Sequence, residues 1–192
     1  MEQRTPDERV RLFVALDLPR AIREALKGWQ ERVLPAHQGL RLVDPESLHV
    51  TLCFLGGQPA SEAGAILSAC RVAAELPAPR LSLGRAVWLP RRRPRVLAVQ
   101  LEDRRGLLAD LQAALSEPLS AAGWYEAERR RFLPHVTIAR VGRSAQPPQG
   151  ALPDPPRAEF TGSRVTLYRS RLQAGGARYE ALGSVALGTW VV

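Results

Sequence analysis

The chain has 192 residues, 45% of them hydrophobic and 24% charged, which suits a globular protein with a sizeable core and excludes a disordered one. The net charge is +8, and Lys27 is the only lysine, so arginine supplies the other 26 cations; this fits a polyanionic partner, although an arginine-rich genome alone would leave the same mark. Cys53 and Cys70 are too few for a disulfide framework, the three histidines show no zinc spacing, and no apolar run reaches a membrane span of about 18 residues.

With a polar opening segment as well, the chain is expected to be cytoplasmic, with no secretory signal, no membrane contact and no metal or other cofactor. Residues 11–18 (RLFVALDL) predict a strand, and Pro19 stands where a helix can begin. Residues 21–33 carry Ile22, Leu26, Trp29 and Val33 at helical spacing. Residues 48–55 (LHVTLCFL) predict a second strand, closed by Gly56 and Gly57. A helix over 60–75 and a strand over 80–88 follow.

The strand–helix–strand order then returns: a strand at 95–101, a helix at 107–122 with Leu108, Leu111, Leu115 and Leu119 on one side, and a strand at 132–141. Arg11 and Arg95 are 84 residues apart, and His49 and His135 are 86 apart. Such spacing predicts an internal duplication, roughly 11–55 and 95–141, inside one bilobal domain spanning 1–192. A proline-dense connection (Pro147, Pro148, Pro153, Pro155, Pro156) reads as a surface loop. A hairpin of 164–172 and 178–187 about Ala174-Gly175-Gly176 closes the chain.

Two of the three histidines sit in one repeated tetrapeptide, His49-Val50-Thr51-Leu52 and His135-Val136-Thr137-Ile138, although the chain has only six threonines. Side chains alternate across a strand, so each motif presents an imidazole and a hydroxyl on one face and buries Val50, Leu52, Val136 and Ile138. Across a shared cleft one imidazole can take a proton while the other gives one, and the hydroxyls can bond phosphate oxygens as charge builds on them. One such motif alone would read as a strand histidine satisfied locally; the matched pair reads as a site.

Other residues are weaker candidates. Arg91-Arg92-Arg93-Pro94-Arg95, preceded by Trp88, reads either as an RNA-binding rim with a stacking tryptophan or as a solvated loop beside a core tryptophan. The run Arg129-Arg130-Arg131 admits the same two readings. Arg140, five residues beyond His135, falls on the opposite face by strict alternation and reaches the cleft only if the strand bends or ends there. Cys53 shares the cleft-facing side of its strand by alternation, but the matching position is Ala139, so it reads as filler. His37 lacks a partner motif and reads as a surface residue.

These segments together resemble the 2H phosphoesterase superfamily, and within it the RNA 2′,3′-cyclic phosphodiesterases long called 2′-5′ RNA ligases. The likeness is carried by RLFVALDLP, LHVTLCFLG, FLPHVTIAR and VTLYRSRL followed by Tyr179, in the family's order over almost the whole chain. It implies an α+β fold of two pseudo-symmetric lobes, with antiparallel sheets facing a central cleft and helices outside. It also implies metal-free opening of RNA 2′,3′-cyclic phosphates to 2′-phosphomonoesters. By that resemblance His49 is the proton donor to the departing 3′-oxygen and His135 the acceptor that activates water. Thr51 and Thr137 hold the non-bridging oxygens, helped by Arg140. The implied partner is RNA with a 2′,3′-cyclic phosphate end, tRNA-derived ends included, and the chain is expected to act as a monomer. The ligase name reflects the reverse chemistry, in which an RNA 5′-hydroxyl replaces water and a 2′-5′ linkage forms. The residues themselves leave two alternatives open: a non-catalytic binder of RNA phosphate ends, and a phosphodiesterase for 2′-5′ oligonucleotides or small cyclic nucleotides.

Overall fold

The five residues from Leu12 to Leu16 are all buried, the continuous apolar run of a strand covered on both faces. They form the middle of β1 (Arg9–Asp17) in a computed structural model that describes residues 8–33, 39–128, 130–142, 145, 152–173 and 176–188. Helix α1 (Arg20–Val33) follows, its Ile22, Leu26 and Trp29 buried at the spacing that keeps one helical face on the core. The short β2 (Leu40–Leu42) and a single 3₁₀ turn lead into β3 (His49–Pro59).

After β3 come α2 (Ala63–Ala69), β4 (Arg80–Leu89), β5 (Val96–Glu102) and α3 (Leu107–Ala121). The four leucines that predict α3's apolar side, Leu108, Leu111, Leu115 and Leu119, are fully buried, each worth about 1.5–3 kcal/mol by area. The chain ends with β6 (His135–Val141), β7 (Glu159–Thr161), β8 (Arg164–Gln173) and β9 (Gly176–Ala186).

All nine described strands hydrogen-bond antiparallel in the order β7-β4-β5-β6-β3-β1-β8-β9, with β2 added on β6. The two lobes of this α+β fold meet where β3 touches β6, at the single pair Val50–Val136. The sheet curls, because residues 76–79 bond to Gly188 just beyond β9 and also to Gly162 beside β7, drawing its two edges together. The motif strands are therefore neighbours at the centre of the curl.

Several elements depart from the sequence expectation. Gly56 and Gly57 do not end β3; Gly56, at φ +69°, marks a bulge where Leu12 pairs with Gly56 and Phe13 with Phe54, and the ladder continues to Pro59. Residues 60–75 wind as 3₁₀ turns on either side of the short α2, not as one helix. Residues 132–134 stay outside β6, since Pro134 has no N–H to add to a ladder. The three-residue strands β2 and β7 carry no sequence signal of their own. His37, Arg129, Pro147, Pro148 and the Ala174-Gly175 turn lie outside the described residues.

Candidate active site

His49 and His135 each open their strand, and each is anchored the same way. Nδ1 of His49 lies 2.7 Å from the carbonyl oxygen of Ser47, and Nδ1 of His135 lies 2.7 Å from that of Leu133. A carbonyl only accepts, so Nδ1 carries the proton in both rings and Nε2 is the nitrogen left for chemistry. In His49 that Nε2 accepts from the Thr51 hydroxyl at 3.1 Å. The carbonyls come from the residue two before each histidine, in segments that enter the strands from outside the ladder.

His49, Thr51, Thr137 and Arg140 line one cavity of about 570 Å³. His135 lines an adjoining cavity of about 1050 Å³, which shares Thr51, Phe54, Thr137 and Arg140 with the first, so the two form one groove with an imidazole toward each end. The surroundings of the two rings differ. Phe13 lies tilted against His49 at 4.8 Å between centroids, and Tyr179 meets it edge-on at 5.2 Å and 85°. Tyr168 stands behind, at 6.2 Å.

That aromatic burial pushes the His49 pKa down from 6.5 to about 4; the Ser47 carbonyl and the Asp17 carboxylate pull it up, and the charges of Arg140 and His135 add to the drop. Asp17 lies opposite His49 in the β1–β3 register. It is held there by three donors at 2.9 Å each: Arg164 Nε, the Thr166 hydroxyl and the Tyr168 hydroxyl.

The register explains why Arg140 reaches the groove. Along β6, Ala139 pairs with Leu97 and Thr137 with Ala98, so Ile138 is an extra residue. Along β3, Cys53 pairs with Val14 and Thr51 with Ala15, so Leu52 is extra in the same place. A bulge of this kind rotates the side-chain alternation. Leu52 and Cys53 are both buried, as are Ile138 and Ala139, and the next residues, Phe54 and Arg140, emerge on the face of the histidines and threonines. The expectation that Cys53 faces the cleft is thus overturned. Its thiol is buried, hydrogen-bonded to Gln112 and pushed up to about 12 by desolvation, which leaves it inert. The bulge in β6 is clamped by Gln30 of α1, whose buried amide donates to the carbonyls of Ile138 and Val43 at 2.9 Å each.

The sequence profile of the 2′-5′ RNA ligase superfamily matches residues 18–174, a span that contains both motifs and their bulges. The chain belongs to this superfamily. Within it, the Escherichia coli protein named RNA 2′,3′-cyclic phosphodiesterase is 33% identical over 188 residues, covering 92% of this chain and 96% of that one. The Thermus thermophilus protein of the same name is 33% identical over 190 residues, covering 93% and 90%. Among solved structures, TT0787 of T. thermophilus aligns with a TM-score of 0.77 at 31% identity over 92% of this chain and 97% of its own. E. coli LigT complexed with phosphate aligns with a TM-score of 0.76 at 30% identity, over 95% and 99%.

Several residues of this superfamily member's groove escape a reading of the sequence alone. Phe13 looks like a core residue in one dimension, as does Tyr168, which stands behind the groove and holds Asp17, and Tyr179 enters only through the resemblance. Arg41 is on the unpredicted β2, opposite Arg140. Arg11 stacks its guanidinium over Phe54, 5.4 Å from the ring centroid, at the groove wall. Of the weaker candidates, Arg130 and Arg131 line the His135 cavity. Residues 91–95 do not line it, although Leu89, Pro90 and Val96 on either side do. Trp88 packs against the core.

Proposed function

We propose that the chain hydrolyses RNA 2′,3′-cyclic phosphodiester ends to 2′-phosphomonoesters, with His49 and His135 as its acid and base. The observation that carries this reading is the groove itself: two imidazoles with Nδ1 locked on carbonyls and Nε2 left for chemistry, with two hydroxyls and a guanidinium between them. The names of the relatives support the substrate class.

In this reading His135 takes a proton from water, the water oxygen attacks phosphorus, and the bond from phosphorus to the 3′-oxygen breaks as His49 gives that oxygen a proton. The 2′-ester bond is kept, so the product is a 2′-phosphomonoester with a free 3′-hydroxyl. Thr51, Thr137 and Arg140 hold the non-bridging oxygens as negative charge builds on them. The pKa of about 4 leaves His49 neutral at pH 7 in the free site, so the ring takes up its proton from solvent as the anionic substrate binds. A bound phosphodiester supplies negative charge on one side and Asp17 supplies it on the other, and both favour the imidazolium. The matched bulges support reading the halves as a repeat within one domain. A tRNA-derived end, a monomeric state and a cytoplasmic location belong to the same proposal; no helix among the described residues is long and apolar enough to cross a membrane.

The test is product analysis on an oligoribonucleotide with a defined 2′,3′-cyclic phosphate end. His49→Ala and His135→Ala are each expected to lower turnover by about 10²- to 10⁴-fold, and the double variant to be little worse than the poorer single one. Near-normal turnover in either folded single variant refutes the two-histidine mechanism, and binding without product by the unaltered protein favours the non-catalytic reading.

A further inference from the structure

A side cavity of about 480 Å³ shares residues with the His49 cavity. Lys27, Arg41, Arg140 and Arg178 line it, with the carboxylates of Glu31 and Asp44. None of these four cations is in an ion pair among the described residues. Arg41 and Arg140 are also directly opposite each other on β2 and β6. Like charges directly opposite on neighbouring strands destabilise a sheet, and an anion between two guanidiniums removes that cost while gaining charge-assisted hydrogen bonds.

The reaction geometry says which anion. In an in-line displacement the nucleophile and the leaving oxygen lie on opposite sides of phosphorus. With water activated at His135, the 3′-oxygen departs toward His49, and the ribose bearing it lies at that end of the groove. The 5′-oxygen of the same ribose continues into the body of the RNA. The geometry points to the Lys27–Arg178 side of this cavity, with Arg41 and Arg140 shared between it and the reacting phosphate, as the subsite for the phosphodiester on the 5′ side of the terminal nucleotide. The RNA body then leaves the groove between α1 and the β8–β9 hairpin, not across residues 91–95. The inference rests on the phosphodiesterase reading and its assignment of His49 as donor.

The test compares adenosine 2′,3′-cyclic phosphate with an oligoadenylate trimer ending in the same cyclic phosphate. Lys27 and Arg178 line the side cavity but not the cavity of His49, and both are exposed, so Lys27→Gln/Arg178→Gln is the informative double variant. The unaltered protein is expected to prefer the trimer in kcat/KM by about tenfold, the size of one charge-assisted hydrogen bond. The double variant should lose most of that preference while turning over the mononucleotide at the normal rate, which also certifies its fold. Its trimer affinity should depend less on salt, the log–log slope falling by about 0.7 for each phosphate no longer neutralised. The inference is overturned if the preference survives in this variant, whether or not it disappears in Arg91→Gln/Arg93→Gln or Arg130→Gln/Arg131→Gln, or if the trimer has no advantage at all. A protein that turns over the mononucleotide without length preference sinks the subsite alone. One that turns over neither substrate sinks the phosphodiesterase reading and the subsite with it.

Discussion

Replacing His49 by glutamine removes a titrating group that the fold holds in its neutral form, and should make the protein lose less stability in acid. The pKa in the folded protein is about 4, below the ordinary 6.5, so the unfolded chain takes up the proton first as pH falls. Stability from this site is fully present above pH 6.5 and is lost progressively as pH drops from 6.5 toward 4. Between pH 7.5 and 4.5 the linkage amounts to roughly 2–3 kcal/mol. His49→Gln keeps a polar side chain of similar reach and abolishes that loss. The assay is urea denaturation at the two pH values, followed by tryptophan fluorescence with buried Trp29 as one reporter. Groups uncoupled to His49 contribute equally in both proteins and cancel, so the difference of the two differences reports His49 together with its coupling to Asp17 and His135. Parallel loss of stability in the two proteins would show that the aromatic nest does not depress this imidazole. The same residue followed by NMR should titrate near 4 in the free protein and at a higher pH with saturating inorganic phosphate, because an anion that favours the imidazolium must raise its pKa by reciprocity.

Thr51→Val and Thr137→Val keep the branched shape and remove the hydroxyl, and each is expected to lower kcat more than it raises KM; the opposite split would make the hydroxyls ground-state binders. Gln30→Leu leaves the carbonyl of Val43 and one bond to Ile138 unmade in a buried setting, so the protein should lose about 1–3 kcal/mol in chemical denaturation, and an unchanged midpoint would mean that the β6 bulge does not need its clamp. Activity should survive exhaustive EDTA treatment, since no group of three or more His, Cys, Asp and Glu able to hold a metal occurs among the described residues. A loss restored by Zn²⁺ or Mg²⁺ would assign the chemistry to a metal.

Much of this is legible in one dimension, because the signals are local. Burial of Val50, Leu52, Val136 and Ile138 follows from alternation and hydrophobicity within each motif. The four-leucine face of α3 follows from the helical period, and the pairing of the two motifs follows from their repetition. What alternation cannot supply is the face of any residue beyond the motif. One extra residue in each motif strand turns Cys53 into the core and Arg140 into the groove, and a bulge is a relation between two strands that neither strand's own pattern encodes.

The inequality of the two histidines is likewise tertiary. Their tetrapeptides are near-copies, yet Phe13, Tyr168 and Tyr179 from β1, β8 and β9 close around His49. Arg41 meets Arg140 through a three-residue strand too short to carry any period. Local periodicity and motif identity, which each stretch of chain carries for itself, were therefore set by the sequence alone. The protonation of His49, the reach of Arg140 and the basic side cavity were decided by packing, because each depends on groups far apart in the chain that only the curled sheet brings together.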